Sequence, residues 1–132
     1  MAFTEYLISM AFAVFTAAAF ILAGIALVRN ADMEINDTFG YRTQRSTQNK
    51  ETWHFANVHS GKILIIGGVI GLALIILTAL IMEMIGVNKM AWLVGVILEL
   101  VIVFTVIPIN MASTENQLKK RFGDKEESND KG

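Results

Sequence analysis

Three stretches of this sequence are almost pure hydrocarbon, and no small water-soluble fold can hide all of them. The first runs from Tyr6 to Val28, about 23 residues without a charge. At roughly 1.5 Å per residue a helix over it reaches about 34 Å, enough to cross a bilayer core of about 30 Å. The second runs from Ile63 to Met82 and the third from Met90 to Met111, interrupted only by single polar residues such as Thr78, Glu99 and Asn110. Charged residues make up 17% of the chain, against roughly 25% in an ordinary soluble domain, and they gather between and after these runs. The pattern predicts an all-α integral membrane protein with three transmembrane helices. It divides into a membrane domain over 1–112 and a charged tail over 113–132.

The first run is expected to stay as a span rather than be cleaved as a signal peptide, because Glu5 and no Lys or Arg precedes it. Only Glu83 to Lys89 joins the second and third spans, with Gly86 and Asn88 as turn formers, so those two are an antiparallel pair. Three spans put the termini on opposite sides. Of the 11 Lys and Arg residues, Arg29, Arg42, Arg45, Lys50 and Lys62 lie in the 29–62 loop and five more follow the third span; only Lys89 falls on the other side. The positive-inside rule therefore predicts an outside amino terminus, with the loop and the tail in the cytoplasm.

Composition also excludes chemistries. With no cysteine there is no disulfide, no thiolate nucleophile and no Cys-ligated metal. A net charge of −1 and a pI near 6.1 argue against nucleic acid as a direct partner. His54 and His59 are five residues apart, about 140° around a helix, and do not converge as metal ligands. No GxSxG, phosphate-binding loop or HExxH is present. Neither enzyme activity nor a cofactor is expected.

The loop from Arg29 to Lys62 is richer in hydrogen-bonding side chains than a connector needs. Gly40 before Tyr41 and Arg42 suits a turn, and Ser46 is placed to N-cap a helix running through Trp53 toward the second span. On that helix Asn49, Trp53, Ala56, Asn57 and Ser60 share a face. One reading is a cytoplasmic interfacial helix, with Tyr41 and Trp53 at headgroup level and Phe55 and Val58 in lipid. The other is a binding site, with Arg42, Arg45 and Lys50 receiving a phosphate or carboxylate and Thr43, Ser46 and Asn49 adding neutral donors. The two are compatible.

Glu99 stands near the middle of the third span, where an acid costs about 2.5 to 3.5 kcal/mol on insertion scales. Its expected partners are Thr16, Thr78 or water, and its role is either to tie helices together or to handle a proton. Pro108 removes one intrahelical bond, is expected to kink the chain, and exposes the Phe104 carbonyl. Gly67 and Gly71 form a GxxxG pattern, and Ala17, Ala18, Ala19, Ala23 and Gly24 give the first span small surfaces, for packing within one chain or in a homo-oligomer. Past the third span, Thr114 and Gln117 have the spacing of a capping box that opens a short surface helix. From Gly123 onward the composition predicts disorder.

Gly40-Tyr-Arg-Thr-x-x-Ser46, then Asn49-x-x-Thr-Trp-x-x-Ala-Asn57 and Gly61-Lys62, resembles the signature of the SdpI family of bacterial membrane proteins. The closing Pro108-x-x-x-x-x-Thr114-Glu-x-x-Leu118-Lys is also similar to that family. The resemblance implies a three-helix membrane domain for immunity or resistance to a membrane-active peptide toxin, with signalling through a cytoplasmic regulator as a second element. It rests any family function on Arg42, Thr43, Ser46, Asn49, Trp53 and Asn57. An external peptide would meet the Glu83 to Lys89 loop first or be intercepted within the bilayer. Two other classes stay open: a proton-linked transporter or channel using Glu99, and a module whose basic loop and tail recruit membrane lipid or a soluble protein.

Overall fold

The computed structural model describes residues 2–87 and 89–123. The expected disorder of the extreme carboxy-terminal segment and the turn role of Asn88 lie outside the described residues.

Three helices account for most of that structure: α1 (Ala2–Arg29), α2 (Lys50–Ile85) and α3 (Trp92–Phe122). Each contains a stretch long and apolar enough to cross a membrane. The chain is a multi-pass membrane protein. Each helix packs against both of the others.

All three helices outrun their apolar stretches, and the extra turns have local causes. Helix α2 starts at a reciprocal capping box: the Asn49 side chain accepts from the Thr52 amide, and the Thr52 hydroxyl accepts from the Asn49 amide. Two of the amino-terminal amides are thereby satisfied. The helix then continues for 36 residues, about 54 Å, to Gly86, whose amide donates to the Met82 carbonyl. No separate interfacial helix lies between loop and span; the residues expected to form one are the first turns of α2 itself. The Ala56, Asn57 and Ser60 face is buried against neighbouring structure, so these turns are held by protein contacts and stay collinear with the span.

Helix α3 likewise runs unbroken through Pro108 to Gly123. Thr114 does not open a new helix. It is fully buried inside α3, where its hydroxyl donates to the Asn110 side chain. Lys119, Lys120 and Arg121 occupy the last turn, favourably placed for the helix dipole.

The core is thin and built from small or slender residues: Tyr6, Met10, Ala13 and Ala17 of α1 meet Ile75 and Met82 of α2 and Ile102 of α3. Large apolar side chains instead point outward, with Phe15 and Phe104 each 72% exposed. Hydrocarbon is their natural surrounding, and it leaves close packing to hold the helices together. Backbone meets backbone closely between Gly24 and Gly61. A Cβ on Gly24 would stand 2.5 Å from the Gly61 carbonyl oxygen, and one on Gly61 would stand 2.6 Å from the Gly24 oxygen. Backbone cannot swing aside, so both positions require glycine. The GxxxG pair serves contacts within the chain: Gly67 faces Val106, and Gly71 faces Ile102 and Ala17.

Candidate functional site

The polar residues of the loop fold into a cap over one end of the bundle. Its centre is Trp53, 2% exposed, on the inward face of the first turns of α2. Gly40 lies against its ring: its φ is +121°, and a Cβ at this position would stand only 2.6 Å from Trp53 Cη2, so no larger residue fits there. From this turn the Tyr41 amide donates to Asn57 Oδ1 at 2.8 Å, and Asn57 Nδ2 donates to the Trp53 carbonyl at 2.8 Å. Asn57 thus hands the loop's hydrogen bond back to its own helix. The Trp53 indole N–H is buried and has no hydrogen-bond partner among the described residues.

Ser46, expected as the N-cap of α2, instead closes a turn of its own. Its hydroxyl accepts from the Thr43 amide at 2.7 Å and lies 2.9 Å from the Tyr41 carbonyl, to which it donates, while its amide donates to Thr43 Oγ1 at 3.2 Å. The capping position falls three residues later, on Asn49, because Thr52 completes the box there and also donates to the Ser46 carbonyl. The Thr43 to Ser46 turn and the start of α2 are therefore one hydrogen-bonded piece.

Glu115 fastens this piece to α3. Its carboxylate accepts from the Tyr41 hydroxyl at 3.0 Å and from Arg45 Nη1 at 3.1 Å, and also from Thr43. Tyr41 is in addition 3.4 Å from the Met111 carbonyl. Glu115 lies beyond the apolar stretch of α3. Burial pushes its carboxyl up, but the hydrogen bonds from Thr43, Arg45 and Tyr41, with the Arg45 charge, outweigh that and hold it below the usual carboxylate range. Burial, followed by the hydrogen bond and the charge of Glu115, pushes the Tyr41 phenol well above its ordinary value. A second seam runs just below, where Asn110 Nδ2 donates to Ser60 Oγ at 2.9 Å and His59 Nε2 lies 3.1 Å from Ser113 Oγ.

Of the loop residues singled out by sequence, Thr43, Arg45, Ser46, Asn49, Trp53 and Asn57 come together in this cap. Arg42 does not join them. Its side chain is exposed, with Nη1 donating to the Asp37 carbonyl. Arg45 and Lys50 also part company: Arg45 turns to Glu115, while Lys50 lines a cleft on another side of α2. Glu99 is separate from all of these, accepting at 3.1 Å from the Thr16 hydroxyl of α1, whereas Thr78 spends its hydroxyl on the Leu74 carbonyl. Glu115, though part of the closing motif that resembles the family, was not singled out as a site residue. Four positions before Lys119, it has the spacing of an ordinary helix-surface ion pair; its place in the closing motif, beside Asn110, Thr114 and Leu118, which the structure buries, is the sequence signal that points to it. No group of three or more potential metal ligands exists among the described residues.

The loop residues of the cap lie within the part of the chain that is shared with other proteins, and Glu115 lies just beyond it. The model of the SdpI/YfhL protein family matches residues 32–110, from the loop through α2 and most of α3. The Bacillus subtilis (strain 168) protein named "Uncharacterized protein YfhL" is 30% identical over 101 residues, covering 75% of this chain and 78% of YfhL. No solved structure matches. The chain belongs to the SdpI/YfhL family.

Proposed function

We propose that this SdpI/YfhL family member is a non-enzymatic protein of the bacterial cell membrane that protects its cell against a membrane-active peptide toxin. The family match over residues 32–110 carries this reading, since immunity of that kind is what the resemblance to SdpI implies. The matched segment contains the loop residues of the cap, α2 and most of α3, so the shared feature is the loop together with those two spans. Neither the family nor an all-helical membrane fold is enzyme-like.

In this reading the amino terminus is outside and the loop and carboxy-terminal end are cytoplasmic, supported by the ten-to-one distribution of Lys and Arg. The cap fixes how the helices stand, and their outward apolar faces, Phe15, Phe104 and their neighbours, intercept the peptide inside the bilayer. Arg42, exposed beside the cap, is the motif residue that a cytoplasmic regulator would touch.

The test is survival of cells lacking the gene, with and without this chain, against a panel of secreted membrane-active peptides, with membrane abundance followed by blot. Specific protection is expected. Replacing Arg42 by Ala should leave protection intact if interception alone suffices and should abolish an induced response if a regulator reads that residue. Absence of protection at normal abundance would overturn the proposal.

A further inference from the structure

On the side of α2 turned away from the cap, a cleft of about 720 Å³ opens between the first turns of that helix and the last turn of α3. Lys50, Lys62 and Arg121 line it, with Glu51 as the single acid. Its floor is aromatic: Phe55 stacks on His59 with ring centroids 5.5 Å apart and meets Phe122 edge-on at 5.8 Å. The Arg121 guanidinium sits 4.8 Å above the Phe55 centroid. That contact anchors the cation by its flat face and leaves its N–H edge available to an acceptor in the cleft. His54, on the rim, is within 2.7 Å of Asp32 Oδ1.

We propose that this cleft binds the phosphate of an anionic phospholipid. Lys50, His54, Val58 and Lys62 recur every four residues, a row that winds about 40° per step around α2, and all four line the cleft. Beyond Lys62, and within about 80° of it around the helix, Ile66 and Ile70 of the membrane-spanning part are exposed. The surface therefore changes from cationic to apolar at Lys62, where the apolar run begins. A headgroup held by Lys62 and Arg121 would have its acyl chains lying along Ile66 and Ile70. A free inorganic anion would use the cations and waste the rest. The site is independent of toxin protection and shares no residue with the cap.

Native mass spectrometry of the full chain, released from nanodiscs containing equal amounts of phosphatidylglycerol and phosphatidylcholine with matched acyl chains, tests this directly. With two cations near the headgroup, retention of phosphatidylglycerol is expected to exceed that of phosphatidylcholine by roughly thirtyfold. The double variant Lys62→Gln with Arg121→Gln should reduce that preference to within about twofold. Lys62→Arg, which keeps the charge, should preserve it, and so should the double variant Arg29→Gln with Lys89→Gln, which removes the same charge elsewhere. Circular dichroism establishes that each variant keeps its helices. Equal retention of the two lipids by the unaltered chain would overturn the proposal, as would an equal loss of preference in the Arg29 and Lys89 variant. Displacement of the lipid by equimolar inorganic phosphate would also overturn it, because the apolar half of the cleft would then contribute nothing.

Discussion

Glu115 and Glu99 stand on the same helix, sixteen residues and about 24 Å apart, yet they are held in opposite ways. Glu115 gathers Tyr41, Thr43 and Arg45 from a loop seventy or more residues distant in sequence, whereas Glu99 has a single hydroxyl, that of Thr16. The difference follows from where each one sits. Near the membrane surface a loop can be folded down to supply donors, and each charge-assisted bond adds to the others. Inside the hydrocarbon there is only what the neighbouring helix carries, and α1 offers one threonine at that depth. One end of the bundle is thus organised by polar side chains and the remainder by the fit of small ones.

Variants can break this contrast at either end. The largest effect is expected from Trp53→Ala, which empties the centre of the cap and should cost about 3–5 kcal/mol, as for other buried aromatics. Thermal unfolding in detergent, together with protease cleavage of the 30–48 loop, measures it; a wild-type melting profile would mean that the cap is an ornament on the bundle. Next comes Gly68→Leu, whose Cβ would stand 2.5 Å from Ile21 Cγ1 and 2.7 Å from the Ala17 carbonyl oxygen. Overpacking there should cost about 1–3 kcal/mol and loosen α1 from α2, leaving loop cleavage unchanged. If the loop is released as well, the two regions are not separately organised.

Glu115→Gln sharpens the comparison through pH. The folded-state value of Glu115 lies below its unfolded value, so the ionised carboxylate stabilises the protein above the ordinary carboxylate range, and this contribution is lost as pH falls through the depressed folded value. The Arg45 and Glu115 side chains are 31% and 27% exposed, so the pair is partly screened and a loss of about 1 kcal/mol at neutral pH is expected. The difference between wild type and variant should be flat from neutral pH to about 5 and shrink below about 4. A difference that grows on acidification would reverse the sign assigned to Glu115.

Smallest of all should be Glu99→Gln. Its amide oxygen can still accept from Thr16, and interhelical hydrogen bonds in membranes average only about 0.6 kcal/mol. Proton flux in reconstituted vesicles should not change. A fall in flux would make Glu99 a titrating group of a transporter and remove it from the structural side of the comparison.

The spans were legible because apolar length is a one-dimensional property, readable without knowing any contact. That Trp53, Ala56, Asn57 and Ser60 share one face of α2 was legible by spacing, but that this face is buried rather than at headgroup level was not. What spacing could not give was the third dimension. Arg42 and Arg45 look equivalent in sequence, but only Arg45 reaches Glu115, because the Thr43 to Ser46 turn aims it at α3. Ser46 and Asn49 are both good N-cap residues, and Thr52 decided between them from three positions downstream of the winner. The cationic cleft was equally hidden, since Arg121 and Lys62 belong to different helices.

The length of α2 has one further consequence. Lys62 and Glu83 bracket its apolar stretch at a separation of about 32 Å, close to the thickness of a bilayer core. With a charge at each boundary, the helix has its least mismatch in a bilayer core of about that thickness. A bilayer a few ångströms thicker draws one of those charges into hydrocarbon, and a thinner one strands leucine and isoleucine in water, at fractions of a kcal/mol per ångström. The bundle therefore prefers a matched thickness, and its occupancy of thick and thin lipid phases should differ without any change in its own contacts.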